Sequence, residues 1–137
     1  MHAYFDGQDG NPKVVIKVRS DGRNKYKEMA ALLDTGHNGS LSLPLLTLID
    51  LGAKLKTYGQ VELADGNKVI VYYFEVKVEL DGQEKTVFAN MIANPDIKEA
   101  IVGLELLAPY IAFMDFKKKK IMITTEKELK KNLYTKN

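Results

Sequence analysis

The stretch KEMAALLDTGHNGSL, residues 27–41, decides how the chain is read. An apolar run ends in Asp34, a threonine and a glycine follow, and small polar residues turn the chain before it becomes apolar again. Gly36 frees the backbone to turn sharply just past the acid. An Asp in this position is either a turn-former capping a strand or a carboxylate held in a partly buried site for chemistry. Asp, Thr and Gly are ordinary turn residues, so the tripeptide alone leaves both readings open.

Outward from this stretch the punctuation is Asp-Gly, a strong hairpin signal because both residues tolerate positive φ. Asp21-Gly22 separates KVVIKV from KEMAALL. Asp65-Gly66 separates GQVELA from KVIVYYFEV, and Asp81-Gly82 separates EVKVEL from KTVFANMI. Val, Ile, Tyr and Phe dominate these runs, and several alternate apolar with polar residues, the period of a half-buried strand. The chain therefore reads as mostly β.

Helices are expected to be few and short. In PLLTLIDLG, residues 44–52, Leu45, Leu48 and Ile49 share a predicted face, with Pro44 in the first turn and Gly52 as the stop. LELLA, residues 104–108, is a second candidate, ended by Pro109. Thr125 and Glu128 form a capping-box pattern that predicts a polar helix to about Leu133.

With 137 residues and 45% hydrophobic content, the chain is long enough for one domain with its own core. That domain is expected over 1–137, with its core at about 12–123 and a helical tail at about 125–137. The net charge of +2 is small and acidic and basic residues alternate along most of the chain, which implies no strong field for nucleic acid or membrane. The basic run 117–120 lies between two strand-like runs and reads as a hairpin turn. A small β-barrel binding RNA through it lacks the interleaved aromatic and basic residues of such surfaces.

The absence of cysteine excludes disulfides, thiol nucleophiles and cysteine-zinc sites. With no secretory pattern at the amino terminus and no apolar run long enough to span a bilayer, a cytoplasmic location is expected. His37, with Asp34 and Ser40 close in sequence, suggests a Ser-His-Asp site only weakly, because triad members normally converge from separate segments. His37 instead reads as a pocket-lining or solvent-facing residue. Two histidines make a zinc site equally weak. DGQDGN, residues 6–11, lacks the spacing of a calcium loop, and the Asn38-Gly39-Ser40 triplet has no meaning without secretion.

The segments PKVVIKV and KEMAALLDTGHNGSL together resemble the amino-terminal hairpin and active-site loop of the retropepsin-like aspartic proteases. AIVGLELL, residues 100–107, looks like that family's second motif, and the strand IAFMDF follows it. The resemblance covers about 12–123 and implies an all-β, single-lobed closed barrel with one to three short helices. It also implies catalysis by Asp34 and support from Thr35, Gly36 and Gly103. Thr35 is implied to bond across a dimer axis, Gly36 to let substrate approach, and Gly103 to pack behind the loop. A flap is implied near Leu63, Ala64, Asp65, Gly66 and Asn67, with His37, Asn38 and Gly39 beside the substrate.

Such chemistry uses two carboxylates sharing one proton, because like charges about 3 Å apart cannot both ionise comfortably. This chain has one Asp-Thr-Gly and no Asp-Ser-Gly. The second carboxylate is therefore expected from a second copy, making a twofold homodimer that cuts a peptide or unfolded protein without a cofactor. Retroviral members commonly carry an acid and an arginine where this chain has Asn38 and Leu104. The alternative expectation is a dimeric peptide- or protein-binding module without catalysis.

Overall fold

Alternation along the longest strands sets the architecture. A computed structural model describes residues 1–135 of the chain. Strand β1 (Ala3–Phe5) precedes β2 (Pro12–Ser20), which sends Val14, Ile16 and Val18 inward at every second position. Strand β3 (Lys27–Leu33) adds Ala31 and Leu33, and β4 (Leu41–Pro44) adds Leu41 and Leu43. After helix α1 (Leu45–Leu51) come the long strands β5 (Lys54–Glu62), β6 (Lys68–Leu80) and β7 (Gln83–Ile92). Val76, Val78 and Leu80 of β6 and Ala89 of β7 continue the core. Then follow β8 (Ala100–Val102), helix α2 (Leu104–Leu107), β9 (Ile111–Asp115), β10 (Lys120–Thr124) and helix α3 (Glu126–Thr135).

The strands order as β1-β2-β3-β8-β4-β7-β6-β5, and β2 also pairs with β6 from Lys17↔Glu79 to Ser20↔Val76. That extra pairing closes β2, β3, β8, β4, β7 and β6 into a six-stranded barrel. Closure removes the exposed edges that an open sheet would leave between these strands. Most pairs are antiparallel, but β8 runs parallel to β3 and antiparallel to β4. Strand β8 therefore lies between the two strands that flank residues 34–40. The β9–β10 hairpin forms a separate two-stranded sheet whose Ile123 reaches the core. Each buried Leu, Ile or Val side chain contributes roughly 1.5–3 kcal/mol of transfer free energy.

The three Asp-Gly pairs behave differently. Asp81 and Gly82 both take positive φ, 53° and 77°, and join β6 to β7 through a two-residue turn. Gly22 and Gly66 also have positive φ, but their turns lie in longer connections. The lysine run makes the expected turn, with Lys119 at φ 56° and Lys120 already in β10.

Some details depart from the sequence reading. In α1 the buried residues are Leu48 and Leu51, while Leu45 and Ile49 are 46% and 64% exposed. Pro44 ends β4 and caps the helix rather than entering its first turn. The amino-terminal segment, expected outside the core region, supplies β1, which pairs with β2 from Ala3↔Val14 to Phe5↔Pro12. Helix α3 extends beyond Leu133 to Thr135, and residues 136–137 of the expected tail lie outside the described residues. Its start is capped as expected, the Glu128 N–H donating to Thr125 Oγ1 at 3.2 Å. Among the described residues, no helix is long and apolar enough to cross a membrane.

Candidate active site

Strand β3 carries Asp34 to the end of the barrel. The Asp34 N–H donates to the Val102 carbonyl at 3.0 Å, so the β3–β8 pairing continues to the acid itself. The chain then turns back, with the His37 N–H bonding the Asp34 carbonyl at 3.2 Å. Inside that turn, Asp34 Oδ1 accepts the Gly36 N–H at 2.9 Å. The carboxylate is partly buried and locally oriented, while Thr35 and Gly36 are exposed. A Cβ on Gly36 would lie 3.3 Å from Asp34 Oδ1, which makes a side chain there crowd the acid.

Residues 34–40 are fastened to the segment after β8 by backbone bonds. The Gly103 N–H donates to the Ser40 carbonyl at 3.0 Å, Leu104 to His37 at 2.8 Å, and Glu105 to Gly39 at 3.3 Å. Gly103 is the contact point. A Cβ there would sit 2.1 Å from the Gly39 carbonyl oxygen and 2.6 Å from Cδ2 of the His37 ring. The requirement for glycine is close approach, since its φ of −105° is open to any residue. At the two positions where the resemblance implied a departure from an ion pair, Asn38 and Leu104 are both exposed, and the Leu104–His37 backbone bond joins the two segments.

His37 is turned toward the barrel wall. Ser42 Oγ donates to Asn90 Oδ1 at 2.6 Å and lies 3.1 Å from His37 Nε2. With the hydroxyl proton committed to Asn90, Nε2 is the donor of the second bond. The imidazole is thus paired with Ser42, and not with Ser40 or the Asp34 carboxylate as a Ser-His-Asp site requires. Among the described residues, no group of three or more His, Cys, Asp or Glu is placed to hold a metal ion.

A cleft of about 810 Å³ opens beside this loop. Gly36, His37, Asn38, Gly39 and Ser40 form one side, and Thr57, Val61, Val71 and Tyr73 of the β5–β6 hairpin form the other. Val87, Phe88 and Asn90 of β7 close the back, and Glu105 stands at one rim. The registers Thr57↔Tyr73 and Gly59↔Val71 explain why these hairpin residues share a face. Leu63, Ala64, Asp65, Gly66 and Asn67 form the tip of the hairpin, but none of them lines the cleft. The tip is closed by the Leu63 N–H to the Asn67 carbonyl at 2.7 Å and by the Asn67 N–H to Asp65 Oδ1 at 2.9 Å.

Thr35 faces elsewhere. With Leu33, Leu104 and Leu107 it borders a second hollow of about 230 Å³, which Tyr110, Ala112 and Met114 complete. Sequence reasoning missed Ser42, Thr57, Val71, Tyr73, Phe88, Asn90 and Glu105 as parts of the site. The alternation in KVIVYYFEV was a legible signal that Val71 and Tyr73 share a face. Nothing local marked which face would meet the loop.

Among solved structures, the EIAV protease in complex with the inhibitor HBY-793 matches this fold with a TM-score of 0.53. The match covers 75% of this chain and 90% of the protease chain, at 17% sequence identity. No protein-family model matches the sequence, and no curated protein does. The chain has a retropepsin-like fold, a closed β-barrel with three short helices.

Proposed function

We propose that this chain is one half of a homodimeric aspartic endopeptidase, with Asp34 of each subunit forming the catalytic pair. The observation that carries the reading is the placement of Asp34. Its carboxylate is partly buried, held by the Gly36 N–H at 2.9 Å, and set at the start of a loop whose residues from Gly36 to Ser40 wall the cleft of a retropepsin-like barrel.

In this reading the two carboxylates share one proton and hold a water between them. The ionised member accepts a proton from the water as its oxygen bonds to the peptide carbonyl carbon. The protonated member donates to the carbonyl oxygen, giving a neutral tetrahedral diol. Collapse breaks the C–N bond as a proton passes to the departing nitrogen. No metal or organic group is required for these steps. The peptide lies extended between the loop and the β5–β6 hairpin, its side chains entering alternate pockets walled by Val61, Val71 and Phe88.

The second copy docks on the face that carries Thr35. Leu104 is 42% exposed there, and the small hollow beside it is mostly apolar. An apolar face next to a half-complete site is suited to a partner that completes it.

The test is cleavage of an unstructured protein across acidic to neutral pH, with Asp34→Asn beside the wild type and the mass of both measured in solution. Cleavage by a dimeric wild type and none by a dimeric Asp34→Asn is expected. Equal cleavage by the variant would refute the assignment. Dimers that bind peptide without cutting would favour the binding module.

A further inference from the structure

Of all the side chains lining the 810 Å³ cleft, Glu105 alone carries a formal charge. The others are small, polar or apolar, with His37 and Tyr73 as the remaining titratable groups. Glu105 is exposed, and it takes part in none of the ion pairs among the described residues. Its backbone is fixed to the catalytic loop by its own N–H to the Gly39 carbonyl and by the adjoining Leu104–His37 bond. Its attachment point is therefore held beside the loop, at the rim of a cleft that also presents the apolar side chains of Val61, Val71, Val87 and Phe88.

We infer that Glu105 is a specificity-determining residue that selects a Lys or Arg side chain on the bound peptide. An unpaired carboxylate at the rim of a cleft attracts a cation more strongly than one in open water, because the protein walls, part of them apolar, screen it less. The aliphatic stem of Lys or Arg packs on such walls while its charged end reaches the acid. A favourable placement in the first turn of α2 is the competing explanation for an acid here. Helix α2 has only four residues, Leu104–Leu107, so its dipole is small. A helix-stabilising role would also change thermal stability without changing substrate choice.

This inference rests on the endopeptidase reading, and the dimer extends it. A twofold axis through the Asp34 pair puts one Glu105 in each half of the cleft. A basic residue is then favoured on either side of the scissile bond, and most strongly on both.

The experiment compares peptides that differ only by Lys or Gln at successive positions flanking the cleavage site, at mildly acidic pH. Wild type is expected to prefer Lys at one position on each side by about tenfold in kcat/KM, equivalent to about 1.4 kcal/mol. In Glu105→Gln the ratio is expected to fall to about one, in Glu105→Asp to survive in part, and in Glu105→Lys to turn toward acidic peptides. Thermal midpoints of the three variants establish that they fold. A wild type without preference, or a Glu105→Gln that keeps it, overturns the inference while leaving the endopeptidase reading intact. If no peptide is cut, fluorescence anisotropy of the same peptides on Asp34→Asn and on Asp34→Asn/Glu105→Gln decides the matter separately. Tighter binding of Lys peptides only when Glu105 is present supports the inference, and equal or absent binding overturns it.

Discussion

Asp34 and Gly103 are distant in sequence yet form one unit, because the loop that begins at Asp34 is fastened to the chain after β8 at Gly103, Leu104 and Glu105. Gly103→Ala drives a methyl group into the Gly39 carbonyl, a backbone atom that can retreat only by moving the loop. It should lower stability by about 2–3 kcal/mol, seen as a reduced thermal midpoint, and reduce cleavage further than the lost stability explains. Asp34→Asn should leave the thermal midpoint and the dimer nearly unchanged while abolishing turnover, since it removes the carboxylate and keeps its shape. Asp34, Thr35 and Gly36 were singled out because the second motif at residues 100–107 supplied the context that the tripeptide alone lacks. Ser42, Asn90 and Glu105 were not, because each is an ordinary residue until the barrel brings it against His37 or Gly39.

Among the elements, α1 shows where periodicity loses its power. LLTLIDL is apolar at five of seven positions, so several faces satisfy a helical pattern equally well. Pro44 ends β4 and caps the helix, and packing against the barrel, not periodicity, selects Leu48 and Leu51 as its buried residues. The stop at Gly52 was readable because a left-handed residue is chemically distinctive. Gly52 has φ 66°, and Gly52 and Ala53 donate to the Ile49 and Leu48 carbonyls, both at 3.0 Å. Gly52→Ala must hold that conformation with a Cβ and also displace the Arg23 guanidinium, 2.5 Å away. A cost of about 1–2 kcal/mol is expected in denaturant unfolding, with activity retained below the new midpoint.

For the molecule as a whole, two predictions follow from its surfaces and its buried charge. If the second copy docks as proposed, Leu104→Glu places a charge on the apolar face beside Thr35 and should shift the protein from dimer to monomer by sedimentation. Activity lost at low protein concentration should return as the concentration is raised. Lys13 is 3% exposed in β2, with Glu99 Oε1 at 2.7 Å and Asp9 Oδ2 at 3.0 Å. Burial alone pushes its ammonium group down, but the hydrogen bonds to Glu99 and Asp9 outweigh that and hold its pKa above the ordinary lysine value of 10.5. A raised folded pKa means that its stabilisation is full below that ordinary value and is lost as pH rises through the folded one. The backbone bond from Asn11 and the Lys13 contact hold Asp9 below 3.8, so its share is present above that value and lost as pH falls through the folded one. Glu99→Gln should therefore cost about 1–2 kcal/mol near neutrality and move the alkaline loss of stability to lower pH. An unchanged alkaline limb in pH-dependent unfolding would contradict this.

Local chemistry was enough to write the β character, the Asp-Gly turns, the helix stop at Gly52 and the cap at Thr125. Each depends on a residue's own conformational preference or on neighbours a few positions away. Barrel closure through β2–β6, the insertion of β8 between β3 and β4, and the meeting of Glu105 with the cleft depend on contacts between segments far apart in the chain. Such contacts are decided by which apolar faces can be buried together, and only the folded molecule makes that choice.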